Sequence, residues 1–188
     1  GRVGIGPDVF VVAYDAGAAG GAARLWWLLR HFGHDDVAVI EGGLDAWRGP
    51  LETGDTEPVP ATFRPRPRAD DTMTADEILA RLGDRRLAIV DARAAERFAG
   101  AASSDPIANL DPVAGHIPGA VNVPHAGGRA FDAAVLEADE IVVYCGSGVT
   151  ACVDLLALHA AGRTDARLYP GSWSEWSRRG LPVATGTD

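Results

Sequence analysis

The sequence predicts an α/β protein with parallel strands flanked by helices, built twice over. Two observations carry this. At residues 141–161 a short apolar, β-branched run leads into a Gly-rich loop and then a helical segment, the order from which parallel sheets are assembled. The same order recurs about 130 residues earlier, which marks an internal repeat. The bulk composition fits, since 188 residues, 47% apolar and 23% charged, make one large or two small globular domains.

The elements follow in order. In the first copy Val11, Val12 and Ala13 form a strand that reaches Asp15, a Gly-rich loop runs to Gly21, and a helix spans 22–32 before Gly33. A second strand covers 37–40, and Trp47 and Thr53-Gly54 close the unit. In the second copy Val142, the Cys145 loop, a helix from Thr150 to about Ala161, Gly162, a strand at 166–169, Trp176 and Thr185-Gly186 answer these in turn. Between the copies, residues 49–72 carry Pro50, Pro58, Pro60, Pro65 and Pro67, with Arg64, Arg66 and Arg68 interleaved. Proline fixes φ and removes donors, so this stretch reads as an extended strap whose arginines are solvated linker charge. The predicted organisation is a first domain at 1–57, a linker at 58–72 and a second domain at 73–188.

The second domain is the fuller one. Thr74, with Glu77 three residues on, forms a capping box at the head of a helix over 74–82. Strands follow at 87–91 and 120–123, so about 65 residues, with two helices among them, precede the strand at 141–144. Only about ten residues precede the matching strand of the first copy. A half-sheet without those strands would bare apolar edges. The expectation is a first domain truncated at its N-terminus, its upstream part lying outside this numbering or supplied as a separate chain.

Cys145 ends its strand at the mouth of the sheet, where α/β folds bind ligands. Gly146 and Gly148 let the backbone curl around the thiol, and Thr150 is placed to cap the helix that follows. The N–H groups of such a loop, with the helix dipole, stabilise a thiolate or a sulfur-bound anion. Cys145 therefore reads as a nucleophile, whereas Cys152, among Val153, Leu155 and Leu156, reads as core packing. A phosphatase of the Cys-x5-Arg pattern needs an arginine six residues after its cysteine to clamp phosphate, and that position is Ala151. A small neutral loop instead suits one sulfur atom carried as a persulfide. The first copy has Asp15 at the place of Cys145, and a carboxylate cannot carry a sulfane sulfur, so that copy is expected to be catalytically silent.

The segment Cys145-Gly146-Ser147-Gly148-Val149-Thr150-Ala151 resembles the active-site loop of the two-domain rhodanese-type sulfurtransferases, in particular their 3-mercaptopyruvate branch. Val90-Asp91-Ala92-Arg93 with Arg97-Phe98 resembles the start of the family's catalytic domain, and Gly115-His116-Ile117-Pro118-Gly119-Ala120 resembles its signature turn. Tyr169-Pro170-Gly171-Ser172-Trp173-Ser174-Glu175-Trp176 resembles its closing segment.

The resemblance implies tandem rhodanese-like domains and a ping-pong reaction. Cys145 takes a sulfur from a donor and passes it to an acceptor, while the N–H groups of Gly146, Ser147, Gly148, Val149 and Thr150 hold the sulfur anion. It also implies that Ser147 hydrogen-bonds the donor's carbonyl or relays a proton. Arg97 becomes the substrate-binding arginine, paired with the carboxylate of 3-mercaptopyruvate or the sulfonate end of thiosulfate; the competing reading is a surface ion pair with Glu96 or Asp91. Arg93 and His116 are expected to be structural, and Trp173, Glu175 and Trp176 to close the core or line the pocket mouth. The neutral Gly146 and Ser147 favour 3-mercaptopyruvate over the dianion thiosulfate. Against the family pattern, a second arginine of that branch is replaced by Pro106, and its Asp and His that support the loop serine would lie upstream of Gly1.

The expected partners are a small-molecule sulfur donor and an acceptor such as thioredoxin, glutathione or cyanide. A formal charge of −9 argues against nucleic acid and anionic membrane, and no apolar run approaches the roughly 20 residues of a membrane span. Two cysteines leave no disulfide framework, which fits a reducing cytoplasm. No cofactor or metal is expected, because Cys145 and Cys152 lack ligand spacing and paired histidines. The reading from another class is a non-enzymatic rhodanese-like binding module.

Overall fold

The computed structural model describes residues 1–16, 20–55, 57–101, 111–126 and 130–187; Pro106 lies outside them. The chain divides into two compact units, Gly1–Ala69 and Asp70–Asp188. The division falls inside the stretch expected as a strap at 58–72. Before it, the Arg66 and Arg68 N–H groups donate to the Phe32 and His31 carbonyls at 2.9 and 2.8 Å, and the Arg68 guanidinium grips Asp35 at 2.8 Å. Arg68 is thus an ion-paired clamp on the first unit rather than solvated linker charge. After the division, Thr72 bridges in parallel to Leu168 of the second unit.

In the first unit β1 (Val11–Ala13) pairs in parallel with β2 (Val37–Val39). The connecting helix α1 (Gly20–His31) buries Ala22, Ala23, Trp26, Trp27 and Leu29, the three-to-four spacing of an amphipathic face. A short helix α2 (Gly43–Ala46) follows. Val12 and Tyr14 stand 48% and 57% exposed, on a parallel sheet of the kind ordinarily covered on both faces.

The second unit holds β3 (Leu87–Asp91), β4 (Val121–Asn122), β5 (Glu140–Tyr144) and β6 (Arg167–Leu168), all parallel in the order β4-β3-β5-β6. Ile141, Val142, Val143 and Tyr144 are wholly buried, as the continuous apolar run of an interior parallel strand requires. The helices are α3 (Ala75–Leu79), α4 (Ala95–Ala99), α5 (Ala133–Leu136), α6 (Ala151–Ala160) and α7 (Ser172–Arg178). The capping box is present, with Thr74 N donating to Glu77 Oε2 at 2.7 Å and Glu77 N to Thr74 Oγ1 at 3.3 Å. The helix it starts is shorter than the 74–82 expected, ending at Leu79 before turns that lead to Gly83 at φ 83°. Among the described residues of the second unit three short helices, not two, precede β5; α5 is four residues long, capped by Asp132 on the Val135 N–H at 2.9 Å, too short to leave a helical period in the sequence. Met73, Ile78, Phe98, Ile117, Tyr144, Trp173 and Trp176 meet in one core.

Strand order fixes where a ligand can sit. The chain leaves β3 for β4 on one side, then crosses to β5 on the other, so the adjacent carboxyl ends of β3 and β5 form a switch point, the place at which such sheets bind ligands. Asp91 and Tyr144 are register partners, and the segments that follow them emerge side by side. Among the described residues no helix is long and apolar enough to cross a membrane.

Candidate active site

The switch point delivers Cys145, 1% exposed, directly after β5. Its loop is held at the base by the start of α7. Trp173 N donates to Cys145 O at 2.9 Å and Ser174 N to Gly146 O at 3.0 Å. The Ser172 hydroxyl accepts from Cys145 N at 3.2 Å and donates to Tyr169 O at 2.9 Å. Among the described residues Ser172 alone takes a positive φ, 53°, without being glycine, the kind of strain that surrounding contacts must enforce.

Glycine is required within the loop. Gly148 lies at φ 76°, and a Cβ there would stand 2.6 Å from the Pro170 carbonyl oxygen. Cys152, buried in α6 as expected of a packing residue, donates its thiol proton to the Gly148 carbonyl at 3.5 Å.

Thr150 departs from expectation. It precedes α6 but makes no side-chain cap, because its backbone is already helical at φ −70° and ψ −20°; a capping side chain needs an extended backbone to reach back to the second or third N–H. The first turn tightens instead, with Cys152 N on Val149 O at 3.1 Å and Val153 N on Thr150 O at 3.0 Å. Among the described residues the backbone N–H groups of Gly146, Ser147, Val149 and Thr150 donate to no backbone or side-chain acceptor. Ser147 and Val149 are exposed, Gly146 and Thr150 half-buried and Gly148 buried. Unengaged donors at a helix N-terminus are the chemistry that can hold an anion, and here they stand beside a thiol.

The cation of the site comes from α4. Arg97 Nη2 and Nη1 stand 3.3 and 3.4 Å from the point a Gly146 Cβ would occupy, so the guanidinium lies against the cysteine loop. Its carboxylate partner is neither Glu96 nor Asp91 but Asp111, at 3.2 Å, with side-chain exposures of 16% and 5%. Asp91 is engaged elsewhere, by the buried Arg93, whose Nη2 also reaches Gly115 O at 2.7 Å and whose guanidinium lies 4.6 Å from the Trp173 ring centroid. Burial pulls the Arg93 pKa down, but the bonds and charge of Asp91 outweigh it and leave it above the ordinary arginine value. His116 is buried against Phe98, ring on ring at 3.7 Å, with Nδ1 2.8 Å from Phe98 O. Trp173 and Trp176 are buried in the core, and Glu175 is half-buried.

Sequence reasoning assigned no role to Asp111, Ser172 or Ser174. The serines lay inside the closing segment, where only Trp173, Glu175 and Trp176 were given a role, and Asp111 reaches the site from a turn with no local pattern of its own.

The rhodanese-like domain family matches residues 3–50 and 74–179. The chain belongs to that family. It is 43% identical to the "Probable 3-mercaptopyruvate sulfurtransferase" of Pseudomonas aeruginosa, across 97% of this chain and 70% of that protein. It is 34% identical to the thiosulfate sulfurtransferase of Mus musculus, across 97% of this chain and 67% of that one. The crystal structure of SseA, a 3-mercaptopyruvate sulfotransferase of Escherichia coli, superposes with a TM-score of 0.74 at 34% identity, covering 93% of this rhodanese-like chain and 70% of SseA.

Proposed function

We propose that this rhodanese-like chain is a sulfurtransferase that moves a sulfane sulfur from 3-mercaptopyruvate, or from thiosulfate, through a persulfide on Cys145. The observation that carries the reading is the loop itself: a thiol, the unengaged N–H groups of Gly146, Ser147, Val149 and Thr150, and the Arg97 cation beside Gly146. In the first half-reaction the Cys145 thiolate attacks the donor's sulfur. With 3-mercaptopyruvate the carbon–sulfur bond breaks, its electron pair passes into the pyruvate enolate, and the enolate takes a proton. With thiosulfate the sulfur–sulfur bond breaks and sulfite leaves. In the second half-reaction an acceptor thiolate or cyanide attacks the outer sulfur and releases the Cys145 thiolate.

Placement supports a role for each residue. Arg97 pairs with the donor's carboxylate or sulfonate, and the exposed Ser147 hydroxyl meets the donor's carbonyl or relays its proton. The loop N–H groups stabilise charge on the outer sulfur. The domain carrying this chemistry is 73–188, and the first, with Asp15 at the matching place, carries no sulfur. Thioredoxin, glutathione and cyanide are the acceptors in view. A reducing cytoplasm suits a protein whose two cysteines are not joined to each other. A non-enzymatic binding module would need none of the unengaged donors.

The test is intact mass after incubation with each donor, wild type against Cys145→Ser. One added sulfur, absent from the variant and removed by a reductant, is expected. Wild type that gains no sulfur from either donor would return the chain to the binding-module reading.

A further inference from the structure

Asp111 stands where it can change what the site accepts. Its carboxylate is 5% exposed and divides its two oxygens between two partners that both lead to the cysteine loop. Oδ2 takes Arg97 Nη2 at 3.2 Å, and Oδ1 takes the Ser174 hydroxyl at 3.0 Å. Ser174 in turn donates its backbone N–H to Gly146 O at 3.0 Å, and the Arg97 guanidinium lies 3.3 Å from the Gly146 Cβ position. A closed circuit of Arg97, Asp111, Ser174 and Gly146 therefore surrounds the residue after the nucleophile.

The circuit has a charge consequence. Arg93, the other arginine at the strand ends, is spoken for by Asp91 in a buried pair. Arg97 is left as the cation against the loop, and Asp111 cancels it, so this pair carries no net charge. An ionised partner also fixes the planar guanidinium, leaving one edge for an incoming anion. A carboxylate monoanion needs one such edge. A dianion meets the same edge and, with its second charge, the repulsion of Asp111 at short range in a poorly solvated place.

We propose that Asp111 is a positioning and specificity-determining residue, which orients Arg97 and biases the site towards singly charged carboxylate donors over doubly charged ones. The inference rests on the sulfur-transfer reading above. Its test is the ratio of kcat/KM for thiosulfate to that for 3-mercaptopyruvate, measured in wild type, Asp111→Asn, Asp111→Glu and Ser174→Ala. Asp111→Ser stands in should the amide variant fail to fold.

Removing the charge is expected to raise the ratio about tenfold, the effect of one unit charge about 6 Å away at an effective dielectric of about 40. The gain should lie in a lower KM for thiosulfate. Asp111→Glu restores the charge and should hold the wild-type ratio. Ser174→Ala keeps the charge while loosening the circuit, and should lower both kcat/KM values in proportion. A merely structural Asp111 would likewise lower both donors together and leave the ratio unmoved, which overturns the proposal while sulfur transfer stands. Wild type that takes sulfur from neither donor overturns sulfur transfer and this inference with it.

Discussion

Gly148→Ala is the sharpest test of how the loop is built, because two separable penalties fall on one methyl group. The first is conformational: Gly148 sits at φ 76°, and an L-residue in that region costs about 1–2 kcal/mol. The second is steric. The new Cβ would stand 2.6 Å from the Pro170 carbonyl oxygen, a backbone atom that cannot rotate away, and forced overpacking of this kind costs about 1–3 kcal/mol more. The sum is about 2–5 kcal/mol, a large share of the stability of a domain this size.

Gly162→Ala supplies the control, since Gly162 lies at φ 92° with nothing within 4 Å of its Cβ position. It carries the conformational penalty alone, and the entropy gained by stiffening the unfolded chain is common to both variants. Urea denaturation of the two should therefore differ by about 1–3 kcal/mol. The folded fraction of Gly148→Ala should also take up sulfur more slowly, because relief of the clash must move Pro170, and with it Ser172, Trp173 and Ser174, which hold Cys145 and Gly146. Equal stabilities for the two variants, with sulfur uptake by Gly148→Ala intact, would refute the view that the loop is locked against the start of α7.

Arg93→Leu strands the Asp91 carboxylate, whose side chain is 0% exposed, and should cost about 3–5 kcal/mol in urea titration, while replacing both partners by apolar residues recovers most of the loss; a single variant as stable as wild type would remove the pair from the account of the core. At high pH the two buried tyrosines should drive unfolding. Burial, then the Asp91 charge, holds the Tyr144 phenol well above its ordinary value, and burial, then the Glu175 charge, raises Tyr169. Their stabilising contribution is complete below the unfolded value near pH 10 and falls as pH rises beyond it, by up to about 1.4 kcal/mol per pH unit per group. Phenolate absorbance should appear together with the loss of far-ultraviolet circular dichroism, and its appearance at lower pH than unfolding would show these phenols to be accessible in the folded state.

What could be read from the sequence was whatever a short window contains. The β5 run, the Gly-rich loop and α6 each announce themselves within a few residues, so the place of Cys145 between strand and helix was legible, as was the capping box of Thr74 with Glu77. The helices α4 and α5, five and four residues long, complete barely one turn and leave no period to detect. Thr150 shows the limit of residue-type rules, since a threonine in the capping position does not cap when its backbone is already helical. Asp111 and Ser174 are 63 apart in sequence and meet only through the fold. Ser172 holds the nucleophile's own N–H from 27 residues away. Supporting contacts of that range come from tertiary closure, and no local pattern encodes them.

The repeat shows how the two copies differ at the matching place. Its register survives in the backbone: Ile40 N donates to Ala13 O at 3.0 Å as Tyr169 N does to Val143 O at 2.9 Å, and Leu44 N to Asp15 O at 3.0 Å as Trp173 N does to Cys145 O at 2.9 Å. Asp15 and Cys145 therefore occupy one place in two copies of a strand-loop-helix unit. In the first, the Asp15 carboxylate turns back on its own helix and accepts the Ala22 N–H at 3.1 Å, the favourable pairing of a negative charge with a helix N-terminus. The Ala22 N–H there is met by an anion from its own chain. In the second copy the strand ends on a thiol, and the N–H groups of Gly146, Ser147, Val149 and Thr150 engage no acceptor among the described residues. Asp15 supplies an anion to the helix that follows it, whereas the four N–H groups after Cys145 are left for an anion from outside the chain, and on the sulfur-transfer reading proposed above a terminal persulfide sulfur is that anion.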